Sequence, residues 1–259
     1  MMKKIFAFLI CLVAFTSPAW ASITFTAAGT QSSTSSNTLT LNSSSTSPAS
    51  IPAGSVIILS VTDLSGSGTL SSVADNAGNV YSLATSKALN GSSATGTGFV
   101  YISYTGNALN LTASGTITYT LNFSSGPRSA VASVSYASGT LLSSSVLDAT
   151  VTATASGNSG TITVGSGIPA VANELLICVF SNNNASTFTQ DSGNGWAAPP
   201  TRAIQGSSSQ IAGGSQVASA AKTCVPTLGT KGSWAIQTIG LKPAVTIATP
   251  FIFLPAIVP

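Results

Sequence analysis

The sequence contains no histidine and very little charge, and both shortages restrict its chemistry. Its 259 residues include 8 Lys and Arg and 5 Asp and Glu, and Glu174 is the only glutamate. Most enzyme mechanisms place a titratable side chain beside the reacting atoms, and histidine is the commonest of these groups. A Ser–His–Asp triad is excluded. We therefore predict a protein that is not an enzyme and that uses no cofactor.

The basic residues are scattered along the chain rather than clustered. After the first four residues they are Lys87, Arg128, Arg202, Lys222, Lys231 and Lys242. Nucleic-acid binding needs a concentrated positive face, so a nucleic-acid partner is not predicted.

The first 21 residues have the three parts of a secretory signal peptide. Lys3 and Lys4 form a positive start, the apolar run 5–15 follows, and residues 19–21 (AWA) have the small-x-small pattern of a cleavage site. The apolar run is too short to span a bilayer comfortably, which argues against a retained anchor. We predict cleavage of residues 1–21, export to the periplasm, cell surface or extracellular space, and no integral membrane span in the mature chain.

Export also determines how the cysteines are interpreted. Cys11 lies in the signal peptide, so Cys178 and Cys224 remain as a pair in an oxidising compartment. Such a pair predicts a disulfide. The alternative is two buried thiols in separate strands, because Cys178 lies inside the apolar run 175–180.

Alternation of polar residues with β-branched and aromatic ones predicts an all-β protein. The pattern is clear in 115–123 (GTITYTLNF) and 131–136 (VASVSY), and it is typical of half-buried strands. Turn-rich segments separate the strands at spacings suited to an antiparallel β-sandwich of jelly-roll or Ig-like type. Strands are predicted at 22–27, 38–42, 55–62, 80–86, 98–105, 116–123, 129–137, 149–153, 161–164, 174–181, near Trp196, 216–223 and 234–241.

These strands fall into two sets that resemble each other. Residues 51–58 (IPAGSVII) align with 170–177 (AVANELLI), and the turn 75–81 (DNAGNVY) aligns with 191–196 (DSGNGW). The match predicts an internally duplicated sandwich with repeats at 22–140 and 141–243. No linker composition marks the junction, so packing of the two repeats as one unit and as two are both open.

The same motifs resemble an uncharacterised family of secreted bacterial and phage-associated proteins that carry a duplicated β-sandwich. The matching segments are Asn173–Leu176, the D-x-x-G-N-x-(Y/W) turn at Asp75–Tyr81, Leu147–Ala149 and Gly240–Pro243. The similarity covers most of the mature chain. It implies a duplicated sandwich, and it implies no activity and no catalytic residues.

The Asp75 turn has two interpretations. A turn of this composition forms when Asp accepts hydrogen bonds from backbone N–H groups and Gly and Asn adopt left-handed conformations. The alternative is a weak calcium site at Asp75, Asn76 and Asn79. Calcium takes six to eight oxygens, usually from several carboxylates, and this segment has one carboxylate. We predict a structural turn and no metal.

Two aromatic residues beside these turns are candidates for carbohydrate contact. Tyr81 with Asn79, and Trp196 with Asn194, combine an aromatic ring with a nearby amide. The competing interpretation is that each ring packs inward, as large aromatic side chains in strands usually do.

A carboxylate-dependent hydrolase is a weaker hypothesis. Glycoside hydrolysis needs two carboxyl groups at a defined separation. The combinations available are Asp148 with Glu174 or with Asp63, and each requires the fold to bring its two members together.

The C-terminal tail, residues 244–259, is uncharged, apolar and interrupted by prolines, with Phe251, Ile252, Phe253 and Leu254 at its centre. It is too short and too often broken by proline for a membrane helix. Four interpretations of the tail are open. The first is that it packs on its own sandwich, and the second is that it adds as a strand to another copy. The third is that it touches the envelope, and the fourth is that it ends a truncated reading frame.

The leading functional hypothesis is an exported structural or adhesive protein that assembles through this tail, with itself as partner. The alternative is a carbohydrate-binding module with a surface glycan as partner.

Overall fold

The structure is a computed structural model of the chain, and it confirms an all-β fold of antiparallel sheets. It describes residues 23–33, 37–42, 50–51, 54–64, 70–90, 96–104, 109–110, 118–124, 130–139, 141, 145–160, 162–167, 169, 171–184, 187–197, 203–205 and 209–244. The predicted signal peptide and the tail beyond Ala244, including Phe251 to Leu254, lie outside these ranges. Within them, no helix has the length and hydropathy needed to cross a bilayer.

The first half of the chain forms a five-stranded sheet and a three-stranded sheet. Its strands are β1 (Thr24–Ser33), β2 (Thr38–Asn42), β3 (Ser50–Ile51), β4 (Val56–Asp63), β5 (Leu70–Asp75), β6 (Ser82–Ala88), β7 (Thr97–Tyr104), β8 (Leu109–Asn110), β9 (Thr118–Phe123) and β10 (Ala130–Ser138). The five-stranded sheet has the order β1-β10-β4-β7-β6, the three-stranded sheet has the order β2-β9-β5, and β3 pairs with β8.

The second half forms another five-stranded sheet and two small sheets. Its strands are β11 (Leu147–Gly157), β12 (Val164–Gly165), β13 (Glu174–Asn182), β14 (Phe188–Thr189), β15 (Ala203–Gln205), β16 (Ser209–Ala218), β17 (Thr223–Cys224), β18 (Thr227–Leu228) and β19 (Trp234–Leu241). The large sheet has the order β11-β19-β13-β16-β15, and the small sheets pair β12 with β17 and β14 with β18. A 3-10 turn, Ser192–Asn194, follows β14.

The two five-stranded sheets have equivalent strand orders and equivalent pairing. In each half the first strand lies at one edge, the last strand lies beside it, and a fully buried strand, β4 or β13, occupies the centre. The register also corresponds: Val131 lies opposite Thr62 in the first half, and Ala235 lies opposite Ser181 in the second. Equivalent pairing of this kind is what a duplication would produce.

The described strands stack as four layers around three large apolar cores, with a small fourth cluster at Leu64, Leu89 and Ala235. Alternate residues of β4 point to opposite faces, so Ile58 joins a central core between the two large sheets while Leu59 joins the outer core under the three-stranded sheet. In β13, Ile177 joins the same central core and Phe180 joins a third core under the small sheets. Because β4 and β13 are covered on both faces, they read as continuous apolar runs in the sequence.

The two large sheets face each other with their strand orders reversed. β4 packs on β13, β10 on β16, and β7 on β19. At the edges, β6 packs on β11 and β1 packs on β15. Each contact therefore has a counterpart with the halves exchanged, which is the arrangement of an isologous dimer interface. A buried hydrogen bond crosses it, from Gln237 Nε2 to the Gly98 carbonyl oxygen at 2.7 Å.

Three strand predictions in the second half are wrong. Of the described residues in segment 161–164, only Val164 lies in a strand, β12, and near Trp196 the structure has an isolated bridge between Ala197 and Ser215. The segment 216–223 is predicted as a strand, and the structure places β16 earlier, at Ser209–Ala218. The glycines Gly213 and Gly214 look like turn residues in the sequence, but they lie within the strand. A Cβ at Gly213 would collide with the Cys178 carbonyl of the neighbouring strand, so glycine serves a close approach here rather than a turn.

The predicted disulfide between Cys178 and Cys224 is confirmed. The two Cα atoms lie 6.6 Å apart and the residues are 46 positions apart in sequence. The bond joins β13 in the large sheet to β17 in a small outer sheet, and both cysteines lie in the outer core of the second half. It therefore links two layers of this half covalently.

Replacing both cysteines by alanine is expected to lower the free energy of unfolding by about 3–4 kcal/mol, because the unfolded chain regains the freedom of a long loop. Urea unfolding with and without reductant measures this loss. The reductant should lower the wild-type midpoint and leave the double variant unchanged. A wild-type midpoint that does not respond to reductant would contradict the prediction.

Candidate functional site

The Asp75 carboxylate is fully used in holding its own turn. Oδ1 accepts the backbone N–H groups of Ala77 and Asn79, both at 3.0 Å. Oδ2 accepts Asn79 Nδ2 at 2.7 Å and the Tyr81 hydroxyl at 2.8 Å. The side-chain oxygen of Asn76 accepts the Thr118 N–H at 2.9 Å. Four hydrogen bonds to one carboxylate account for the motif as a structural turn.

The oxygens of this turn do not form a cation cage. Calcium would need the Asp75 carboxylate and the Asn76 oxygen, and both already accept hydrogen bonds. Among the residues that the structure describes, no three His, Cys, Asp or Glu side chains cluster as metal ligands would.

Tyr81 is half-buried and held at both ends. Its hydroxyl donates to Asp75, and its ring meets Tyr119 edge-on with the centroids 6.2 Å apart. Burial, with smaller contributions from Tyr119 and Asp75, raises the pKa of Tyr81 above its usual value, and burial does the same for the pKa of Tyr119. Tyr81 is therefore a fixed neutral ring at the margin of the outer core of the first half.

Trp196 packs in the core and cannot act as a carbohydrate platform. The side chain is 1% exposed, and its Nε1 donates to the Thr223 carbonyl oxygen at 2.8 Å. The adjacent Asn194 uses its amide on Asp191, with both N–O distances at 2.9 Å.

A group of partly exposed apolar and aromatic side chains lies at the margin of the outer core of the first half, and sequence reasoning does not single it out. Phe99 and Tyr101 lie on the same face of β7, with ring centroids 6.4 Å apart. Leu83, on the edge strand β6, lies opposite Tyr101 and is 49% exposed. Tyr81 packs against the same core as the two β7 rings. We call Tyr81, Leu83, Phe99 and Tyr101 the aromatic strip.

The sequence did carry a signal for this strip. Residues 98–105 (GFVYISYT) are apolar at consecutive positions, so both faces of that strand need covering. Val100 and Ile102 lie in the central core, while Phe99 and Tyr101 are only partly covered on the other face. An aromatic side chain left half-exposed is the usual form of a contact surface.

The structure brings Asp148 and Glu174 together, as the hydrolase hypothesis required, but seals them from solvent. Asp148 on β11 is 3% exposed and Glu174 at the start of β13 is 0% exposed. Asp148 Oδ1 accepts the N–H of Thr150 at 2.9 Å and its hydroxyl at 2.8 Å. Glu174 Oε1 accepts the Val171 N–H at 3.0 Å. No substrate reaches carboxyl groups that are covered in this way.

Burial raises the pKa of Glu174 to about 7, and the neighbouring Asp148 carboxyl acts in the same direction. The Val171 N–H and the positive charge of Lys242 act in the opposite direction and lower this pKa. Asp63, the other partner considered for Asp148, is buried at the end of β4 in the first half.

A cavity of about 20 Å³ lies between the two large sheets. Its lining includes Ser60, Ser133 and Ser135 opposite Gly213 and Gly214. This space has room for about one water molecule, and not for a substrate.

Comparison with protein-family models, with curated proteins and with solved structures found no match to this chain.

Replacing Asp75 by alanine is expected to lower the free energy of unfolding by about 2 kcal/mol, because four donors lose their acceptor. Tyr81→Phe removes one of these bonds and should cost about 1 kcal/mol. Thermal unfolding with and without calcium measures both effects. Calcium should leave the wild-type midpoint unchanged, and a calcium-dependent rise that Asp75→Ala abolishes would establish the metal site instead.

Proposed function

We propose that the protein is an exported, non-enzymatic structural or adhesive protein of the cell surface or extracellular space. The observation that carries this proposal is the placement of its acidic groups. Asp63, Asp148 and Glu174 are buried, and Asp75 and Asp191 hold turns. With no histidine in the chain, few side chains are left for acid–base chemistry.

The stacked architecture supports a structural role. Three apolar cores and a buried disulfide make a stiff body from strands that are covered on both faces. The disulfide is compatible with an oxidising compartment and so with export. We also infer that the two halves arose by duplication, which the equivalent strand orders and registers support.

Assembly through the apolar C-terminal tail is the second part of the proposal. Residues 245–259 follow Ala244 without a single charged side chain. Exposed apolar segments of this kind favour association, and strand addition is a known way for one subunit to complete another.

Deleting residues 245–259 is expected to convert an associating protein into a monomer. Light scattering coupled to size-exclusion chromatography measures the mass of both forms, and an unchanged thermal midpoint for the shortened chain shows that its fold is intact. If the full mature chain is itself a monomer, assembly through the tail is wrong.

Carbohydrate binding is the second candidate function, and the aromatic strip is the observation that favours it. Partly buried Phe99 and Tyr101 lie next to the hydroxyl-rich edge strand β6. Rings in such a setting stack on the apolar faces of sugars, while hydroxyl groups provide hydrogen bonds.

Tyr101→Leu is expected to reduce glycan binding at least tenfold, because leucine retains apolar packing but loses the ring face. A glycan array followed by titration calorimetry tests this. The matched control is Val217→Ala, which changes an exposed apolar side chain on the other half. Absence of any glycan bound by the wild type would end this candidate function.

A further inference from the structure

The side chain of Glu174 lies at the outer core of the second half, where the neighbouring strand leaves space for its carboxyl group. The alternate residues Leu176, Cys178 and Phe180 of the same strand line that core. Gly240 lies opposite Leu176 in the neighbouring strand. A Cβ at Gly240 would lie 2.9 Å from Glu174 Oε2, so the absence of a side chain at residue 240 provides the space for this oxygen.

One oxygen of this buried carboxyl lacks a conventional donor. Glu174 Oε1 accepts the Val171 N–H, but Oε2 receives no hydrogen bond from an N–H or hydroxyl group among the described residues. The Asp148 carboxyl acts on Glu174, and Asp148 lies opposite Gly240, the residue beside Glu174 Oε2. Two ionised carboxylates are both acceptors and repel each other, whereas one proton between them makes an O–H···O bond.

Few other charges act at this position. Lys242, which follows β19, is the positive group that acts on Glu174. Ala218 on β16 lies opposite Glu174, and the described residues of segment 166–173 carry no ionisable side chain. Lys222 has an exposed side chain, and its backbone N–H bonds to Ser166 Oγ at 2.9 Å.

The surrounding backbone depends on the same groups. The Val171 N–H donates to Glu174 Oε1. The Gly167 N–H donates to the Val151 carbonyl oxygen at 3.1 Å. Val151 follows Thr150, whose N–H donates to Asp148 Oδ1. The described backbone at Gly167 and Val171 is therefore anchored beside the carboxyl pair.

We propose that Asp148 and Glu174 share one proton and that its release to solvent loosens the backbone at Gly167 and Val171, so that the pair forms a pH-sensitive latch on the second half. When the proton leaves, the O–H···O bond is replaced by two adjacent carboxylates. These charges need water, and water reaches the buried pair only if the backbone beside it moves. The latch is closed at acidic pH and opens as the pH rises past neutrality.

The stability of the wild type should respond to pH in a way that the amide variant does not. A carboxyl group whose pKa is raised in the folded state stabilises most below its unfolded pKa, and this contribution is lost as the pH rises through the folded value. The wild-type thermal midpoint should fall by about 5 °C between pH 5 and pH 8. Glu174→Gln supplies a permanent N–H donor to Asp148, so its midpoint should vary much less. Parallel profiles for the two proteins would overturn the proposal.

Two measurements on the wild type keep the test decisive if the variant does not fold. Infrared difference spectra should show a protonated, buried carboxyl group at pH 6 that is lost by pH 9. Amide hydrogen exchange at Val171 and Gly167, corrected for the intrinsic pH effect, should accelerate at least tenfold over the same interval. The Ala77 amide, bound to Asp75 in the other half, is the control and should not accelerate. A missing carboxyl band at pH 6, or equal acceleration at Ala77, would refute the latch.

Discussion

The structure depends on the burial of its two central strands on both faces. β4 and β13 each send alternate side chains into a central core and into an outer core. A strand in this position has no solvent face, so its polar positions must be small or satisfied. The same burial explains why the cavity between the sheets is small and why glycine occurs where the sheets approach, as at Gly98 beside Ser181.

Scarcity of charge follows from this architecture. In a stack of four layers, much of each sheet is interior, and an ionised group there would need a partner. The acids that do occur are placed accordingly: Asp75 and Asp191 hold turns with multiple hydrogen bonds, and Glu174 is set against Asp148. Among the residues that the structure describes, the aromatic strip is a partly exposed apolar feature of the first half.

Parts of the fold could be predicted because they rest on local pattern. The alternation in 118–123 predicts a strand through its two-residue period, and continuous apolar runs predict β4 and β13. Cys178 and Cys224, the two cysteines outside the predicted signal peptide, predict a disulfide. The start of β16 could not be predicted, because two consecutive glycines, Gly213 and Gly214, resemble a turn in the sequence. Only the structure shows that Gly213 lies against the carbonyl group of Cys178. The sequence leaves the position of Trp196 open, because an aromatic residue beside an Asn-rich turn fits a core position as well as an exposed one, and the structure places Trp196 in the core.

The sequence by itself determined that the chain is all-β, that Cys178 and Cys224 are the two cysteines outside the apolar N-terminal segment, and that acid–base chemistry has few candidates, since these follow from composition and short-range periodicity. Only the tertiary structure decided that these cysteines bond and which faces meet: Trp196 inside, Phe99 and Tyr101 at the margin, and Asp148 beside Glu174. Asp148 and Glu174 lie on strands β11 and β13, which are separated by β19 in the sheet. Contacts of this kind come from strand order and layer packing, which local sequence does not encode.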